Sequence, residues 1–284
     1  MSKYNVSMFE KIKSVLDTQE SSGGGSNYKD ILKTEVGNNY VVRLLPNVKD
    51  INDTFFHYFQ FGWESVATGQ YVSALSPVTF GERCPINELR FKLYKSKNPQ
   101  DNELAKLIKR QERWMVNCYV VDNPSDPSTE GTVKILRYGK QIDKIIKDAV
   151  SGDDSDEYGP AVFDLSKNGC NLRIKVEKNE GGYPTYVSSR FLKASALKDV
   201  DDDKADEIYE NIHDLARIQQ VKTYEELEEM INVHLLNKTT SSITKPEIEV
   251  SQEVDFDEAI TSDSSTDDDS SDELDDIDEL LKDL

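Results

Sequence analysis

Three stretches of the chain interleave cations with aromatic rings: Arg90-Phe-Lys-Leu-Tyr-Lys-Ser-Lys97, Lys109-Arg-Gln-Glu-Arg-Trp114 and Lys134-Ile-Leu-Arg-Tyr-Gly-Lys140. Lys and Arg can follow a line of phosphates while flat rings accept any base, so the mixture suits single-stranded nucleic acid without demanding a base sequence. The same rings could instead fill a core, with the cations forming a solvated face, because aromatic side chains pack more often than they stack on ligands. Signatures of catalysis are absent: there is no Gly-rich phosphate loop, no nucleophile elbow and no paired metal-ligand motif. His57, His213 and His234 stand in unrelated contexts, and no acid/base pair stands out among the carboxylates. The expectation is a binding protein without a cofactor, not an enzyme.

The formal net charge of the 284 residues is −20, which taken as a whole opposes nucleic-acid binding. Its distribution reverses that reading. Residues 241–284 hold seventeen Asp and Glu against Lys245 and Lys282, whereas residues 83–147 hold fourteen Lys and Arg against eight acids. Most of the acidity is a tail. Like charges and scarce apolar area predict disorder over residues 241–272. The closing stretch differs, because Leu274, Ile277, Leu280 and Leu281 share one helical face, the pattern of a peptide that folds on a protein partner. The plainer alternative is a solubilising tail with incidental leucines. Two competing functions remain open on these residues: an acidic interaction or DNA-mimic protein without a cleft, and a metal-dependent nuclease, which lacks a spaced carboxylate cluster.

The elements that must position these side chains begin after an arm. In residues 6–16, Val6, Phe9, Ile12 and Leu16 are spaced for one helical face, with Lys11 and Lys13 off it. Such a helix docks either on its own domain or on a neighbouring molecule, and the Gly-rich joint at residues 20–26 favours the neighbour. The boundaries expected are an arm at 1–20, a linker at 21–27, a core at 28–238 and the acidic tail at 239–284. Within the core, strands are predicted over Tyr40–Leu45, Phe55–Phe61, Gln70–Ala74, Met115–Val121, Thr132–Arg137, Cys170–Val176 and Tyr183–Val187. Helical spacing covers Pro85–Lys95, Leu104–Gln111, Lys140–Val150, 204–220 and 223–237. This is an α+β or β-barrel plan rather than regular βα alternation. Three distant cysteines, Cys84, Cys118 and Cys170, fit reduced thiols, and no apolar run is long enough to span a membrane, so a soluble intracellular protein is expected.

The order of these pieces resembles the gene-32-type single-stranded DNA-binding proteins of T-even-like bacteriophages. The likeness runs through Val41-Val-Arg-Leu-Leu-Pro46, Cys84-Pro85, Ile108-Lys-Arg110, Asn117-Cys-Tyr-Val-Val121, Arg137-Tyr-Gly-Lys140, Asp143-Lys-Ile145, Asn171-Leu-Arg-Ile-Lys-Val176, Ser189-Arg-Phe-Leu192, Tyr224-Glu-Glu-Leu227 and Leu280-Leu-Lys-Asp-Leu284. The resemblance implies an OB-fold β-barrel core with an inserted subdomain and flanking helices. It also implies a cooperative N-terminal arm, here Phe9, Lys11 and Lys13, and a tail that binds replication and recombination proteins of polymerase, helicase-loader and recombinase-mediator type. Carried over residue by residue, it places Arg43, Lys109, Arg110, Arg137 and Lys140 on basic positions and Tyr94, Trp114, Tyr138 and Tyr186 against bases; Arg90 and Lys92 join the expected contacts from the first interleaved stretch. The cytoplasm of an infected bacterial host follows as the expected location.

Two departures from the family pattern stand out. The family holds a zinc with a His, a Cys and a Cys-Pro-x-Cys pair, but alignment on Cys84-Pro85 puts Phe61, Ala74 and Asn87 at the other ligand positions. One thiol cannot complete a four-ligand structural site, so no metal is expected and the subdomain at about 55–95 is expected to pack through Phe59, Phe61, Trp63 and Phe80. The arm's basic motif is also reduced to Lys11-Ile-Lys-Ser14.

Overall fold

Residues 114–120 are buried without interruption, so the strand they belong to is covered on both faces. The structure, a computed structural model, describes residues 29–237 other than Gln219. The expected arm, linker and tail, with Phe9, Lys11, Lys13, Leu274, Ile277, Leu280 and Leu281, lie outside the described residues. In chain order the elements are β1 (Asn39–Leu45), β2 (Phe55–Glu64), β3 (Tyr71–Leu75), α1 (Pro85–Lys95), α2 (Pro99–Leu107), β4 (Gln111–Asp122), β5 (Val133–Tyr138), α3 (Lys140–Ser151), β6 (Leu172–Lys175), β7 (Glu177–Lys178), β8 (Pro184–Thr185), β9 (Arg190–Phe191), α4 (Asp202–Glu210) and α5 (Tyr224–His234).

This is a mixed α+β fold around one antiparallel sheet. Its hydrogen-bonded path is β3-β2-β4-β1-β6-β9, with β5 paired to β4 and the β7–β8 ribbon apart. The central strand β4 shares one edge between two partners, β2 along its first half and β1 along its second. Its other edge pairs with β5 from Trp114 to Tyr119. The expected barrel is not closed among the described strands. Beyond β5 the described residues offer only an isolated bridge between Ile31 and Ile135, and β9 is two residues long, so no ladder among them carries the sheet round.

The sheet packs on both sides because its strands alternate apolar residues to each face. On one face Val42, Leu44, Val116, Cys118, Val120 and Leu136 meet Ile142, Ile146 and Ala149 of α3. Those three are spaced by four and three residues, the apolar stripe of a helix, which Gly139 begins and Gly152 ends. On the other face Tyr58, Met115 and Ile135 pack with Leu215, while Leu45 and Tyr119 pack with Leu165, Leu197 and Ile208. Each fully buried aliphatic side chain contributes roughly 1.5–3 kcal/mol.

A fourth cluster forms a separate lobe. Phe61, Trp63, Ala74, Cys84, Ile86 and Ile108 enclose Leu227, Met230, Ile231 and Leu235, so α5 returns from the far end of the described chain to complete it. The Tyr224 hydroxyl donates to Glu88 Oε2 at 2.9 Å, and Arg83 Nη2 lies 2.7 Å from the other oxygen. At the other end of α5 the His234 carbonyl accepts from Trp63 Nε1 and Val66 N, and its ring Nδ1 is 2.9 Å from Ser65 Oγ. The expected packing of this lobe is half met. Phe61 and Trp63 are in it, whereas Phe59 lies half-buried under Arg110 and Phe80 is 45% exposed beside Phe56.

Several boundaries differ from the sequence reading. The helix expected at Leu104–Gln111 runs instead from Pro99 to Leu107, because Asn98 accepts from Gln100 N and Pro99 occupies the first turn, where its missing N–H costs nothing. Gln111 already belongs to β4. The helix expected over 204–220 ends at Glu210, and the strand expected at Tyr183–Val187 shrinks to two residues.

Candidate nucleic-acid interface

The register of three strands creates a row of rings. His57 of β2 pairs with Trp114 of β4, and Trp114 pairs with Tyr138 of β5, so alternation puts all three on one face. The His57 and Trp114 rings are 5.1 Å apart and tilted by 33°, and Trp114 and Tyr138 are 6.2 Å apart and nearly parallel at 13°. Phe59, two residues along β2, meets His57 edge-on at 4.9 Å. The row is graded in access: Trp114 and Tyr138 are 9% and 5% exposed and form a floor, while His57 and Phe59 open towards solvent. Burial, with Asp143 adding to it, pushes the Tyr138 phenol well above its ordinary range, so it is a neutral group throughout the physiological range.

Cations border the row. The Arg110 guanidinium lies 4.1 Å over the Phe59 ring, and Lys147 Nζ lies 5.4 Å over Trp114 while bonded to Asp143 at 2.6 Å. Lys140 opens α3 with its side chain 80% exposed. Lys140, Lys144 and Lys147 fall at helix spacings of four and three, so they share one face of α3, and Lys147 brings that face to the Trp114 ring. Glu112 sits among these charges, with Oε1 2.8 Å from His57 Nε2 and Oε2 3.8 Å from Lys140 Nζ. The arrangement offers flat surfaces beside positive charge, which is what a flexible polyanion with stackable bases requires.

The structure brings together Arg110, Trp114, Tyr138 and Lys140, with Lys109 exposed next to Arg110. Tyr186 is adjacent, its backbone N–H donating to Gln141 Oε1 at 2.7 Å in the first turn of α3. Other expected contacts fall elsewhere. Arg43 is fully buried: Nε donates to Asn171 Oδ1 at 2.7 Å, Nη2 to Ser195 O at 2.9 Å, and Nη1 to Asp164 O and Ser166 O. It is a structural residue and cannot reach a phosphate. Arg90 is 2% exposed with its guanidinium 5.2 Å over Tyr94, so both belong to the packing of α1, and Lys92 is exposed on the same helix. Arg137 pairs with Met115, on the sheet face opposite Trp114. His57, Phe59, Glu112, Lys144 and Lys147 were not among the expected contacts. The alternation Phe55, His57, Phe59 and the α3 lysine spacing are the signals that carried them.

A sequence profile of the family described as gp32 DNA binding protein like matches residues 35–235. The chain belongs to this family. The single-stranded DNA-binding proteins of Enterobacteria phage T4 and Enterobacteria phage T2 are each 29% identical to it over 196 residues, 67% of this chain and 62% of theirs. The chain thus spans somewhat under two thirds of the length of these curated relatives. The zinc that the gp32-like resemblance implies does not fit this member. Phe61 and Ala74 are buried apolar residues, Asn87 is an amide, and burial pushes the Cys84 thiol up against the amides of Asn87 and Ile86 that favour its ionised form. His57 Nε2 instead lies 2.8 Å from Glu112 Oε1. Among the described residues no group of three or more His, Cys, Asp or Glu is placed to hold a metal. Nor, among them, is any helix long and apolar enough to cross a membrane.

Proposed function

We propose that the chain binds single-stranded DNA without sequence preference along the His57–Trp114–Tyr138 row, as a coat protein and not an enzyme. The observation that carries this reading is the row itself, three rings in register across adjacent strands with Arg110, Lys140 and Lys147 at its border. Membership of the gp32-like family and the printed function of the phage relatives support it. Phosphates follow Lys109, Arg110 and the α3 lysines while bases lie over His57, Phe59 and the exposed edge of Trp114, with Tyr186 flanking the first turn of α3. Lys147 swings off the indole to admit a base. The OB-type reading of the sheet rests on the resemblance, with β1, β2, β4 and β5 as its curved wall.

The wider role belongs to the same proposal: cooperative coating of strands during phage replication, recombination and repair in the cytoplasm of an infected bacterium. Residues 1–20 would contact the next molecule through Phe9, Lys11 and Lys13. Residues 239–284 would recruit polymerase-, helicase-loader- and recombinase-mediator-type proteins through Leu274, Ile277, Leu280 and Leu281, and their seventeen acids between 241 and 284 would compete with DNA for the basic face. Anisotropy titrations of labelled oligo(dT), a matching duplex and an RNA at two salt concentrations test the core of the reading. Tight, salt-dependent binding of the oligonucleotide and weak binding of the duplex are expected. Equal failure with all three would leave an acidic interaction protein instead. Truncation after Lys238 should raise affinity most at low salt and abolish recruitment.

A further inference from the structure

A carboxylate occupies the middle of this cationic border. Glu112 faces Phe59 directly across the β2–β4 ladder and shares its side of β4 with Trp114, two residues on. Its two oxygens address two different cationic or potentially cationic groups, His57 Nε2 at 2.8 Å and Lys140 Nζ at 3.8 Å. A phosphate presents the same chemistry, anionic oxygens that accept charge-assisted hydrogen bonds. The carboxylate and a strand's phosphate therefore contend for the same partners.

We propose that Glu112 is a built-in phosphate surrogate: it engages Lys140 and His57 in the free protein and yields them to a phosphate of the bound strand, setting the affinity and salt dependence of the complex. The proposal rests on the single-strand reading above. Its energetics favour exchange over permanence. The Glu112 side chain is 31% exposed and that of Lys140 80%, and ion pairs in such solvated surroundings contribute little to stability, so a phosphate chain can replace them. Glu112 stays beside the strand after displacement as a residual like charge, which loosens the complex and speeds its release. A protein that must be cleared from a template benefits from such a brake.

The test is a double-mutant cycle on the full chain, with a short labelled oligo(dT) as probe. Glu112→Gln should bind about three- to tenfold more tightly at low salt, the size expected for removing one charge near phosphates in a high dielectric. The plot of log affinity against log salt should steepen by up to about 0.7, one additional single-strand phosphate. In a Lys140→Ala background most of the gain should vanish, because the contested cation is gone. Glu112→Asp keeps the charge but withdraws it by one methylene, and it should fall between wild type and Glu112→Gln; it also serves if the Gln variant does not fold. Weaker binding by Glu112→Gln overturns the proposal and makes the carboxylate a partner of bases or a support of the row. A gain of equal size with and without Lys140 overturns it in favour of general repulsion. If the wild-type protein ignores the oligonucleotide, the single-strand reading itself falls and takes this one with it.

Discussion

Arg43 Nε donates to Asn171 Oδ1 at 2.7 Å in the interior, joining β1 to the segment that leads into β6. The same guanidinium donates to the carbonyls of Asp164, Ser166 and Ser195, so one side chain ties the 164–171 and 195 segments to the sheet. Arg43→Leu removes the donor from Asn171 Oδ1 and from the Asp164 and Ser195 carbonyls, while Ser166 O keeps the Gly169 N–H, and should cost about 3 kcal/mol or more in urea unfolding. DNA affinity per folded molecule should not change. Gly169→Ala should behave alike, since an added methyl would overlap Asp164 O and Arg43 Nη1.

Phe59 and Arg110 should separate stacking from charge. Phe59→Ala should lose roughly 1–3 kcal/mol of oligo(dT) binding with little change in salt slope. Arg110→Ala should lose affinity and lower the slope by about 0.7. The double variant should lose less than the sum, because the guanidinium lies 4.1 Å over the ring and each side chain orders the other. Strict additivity at all salt concentrations would contradict a shared site.

His234 makes the small lobe sensitive to acid. Burial, and then Lys222, lower its pKa below the ordinary 6.5, so the folded protein binds fewer protons there than the unfolded chain. Its contribution is complete above the ordinary imidazole value and fades as pH falls through the lowered one. Unfolding midpoints of wild type and His234→Gln should therefore approach each other on acidification below 6.5, and hold a constant separation above it.

Release of α5 is a second test of that lobe. Burial pushes the Glu88 carboxyl up, but the hydrogen bonds from Arg83 and Tyr224 outweigh it and leave the group below its usual range. Tyr224→Phe should cost about 1 kcal/mol, while Leu227→Ala, at a fully buried position, should cost about 2–5 kcal/mol. Hydrogen exchange over residues 224–234 should rise in both before it rises in β4.

Local signals were read well where they act locally. Cys84 followed by Pro85 marked the start of α1, and the Ile142, Ile146 and Ala149 spacing marked α3. Asn98 and Pro99 carried an equally good start signal for α2, but the apolar spacing further on drew the expected helix past it into β4. Arg43 was misassigned for a different reason. Alternation from Val42 and Leu44 correctly turns it away from their face, but only tertiary structure reveals that the 164–171 and 195 segments cover the other. The same holds for α5, whose amphipathic spacing was visible while its partner, more than a hundred residues earlier, was not. Within the candidate site, residue types betrayed the cations and rings, whereas their sorting into one face awaited the register of β2, β4 and β5.

The divided edge of β4 bears on how this protein can change over generations. Because the side-chain period of a strand is two, a one-residue insertion between Arg113 and Trp114 would set Glu112 and Trp114 on opposite faces, and the β2 ladder that spans that point would have to bulge or slip unless β1 and β5 did. Length variation should therefore be purged from β4 and tolerated in the exposed 124–128 loop just beyond it. A library of single-codon insertions scored for soluble folding would trace that boundary, with a trough across 111–122 and recovery at 124.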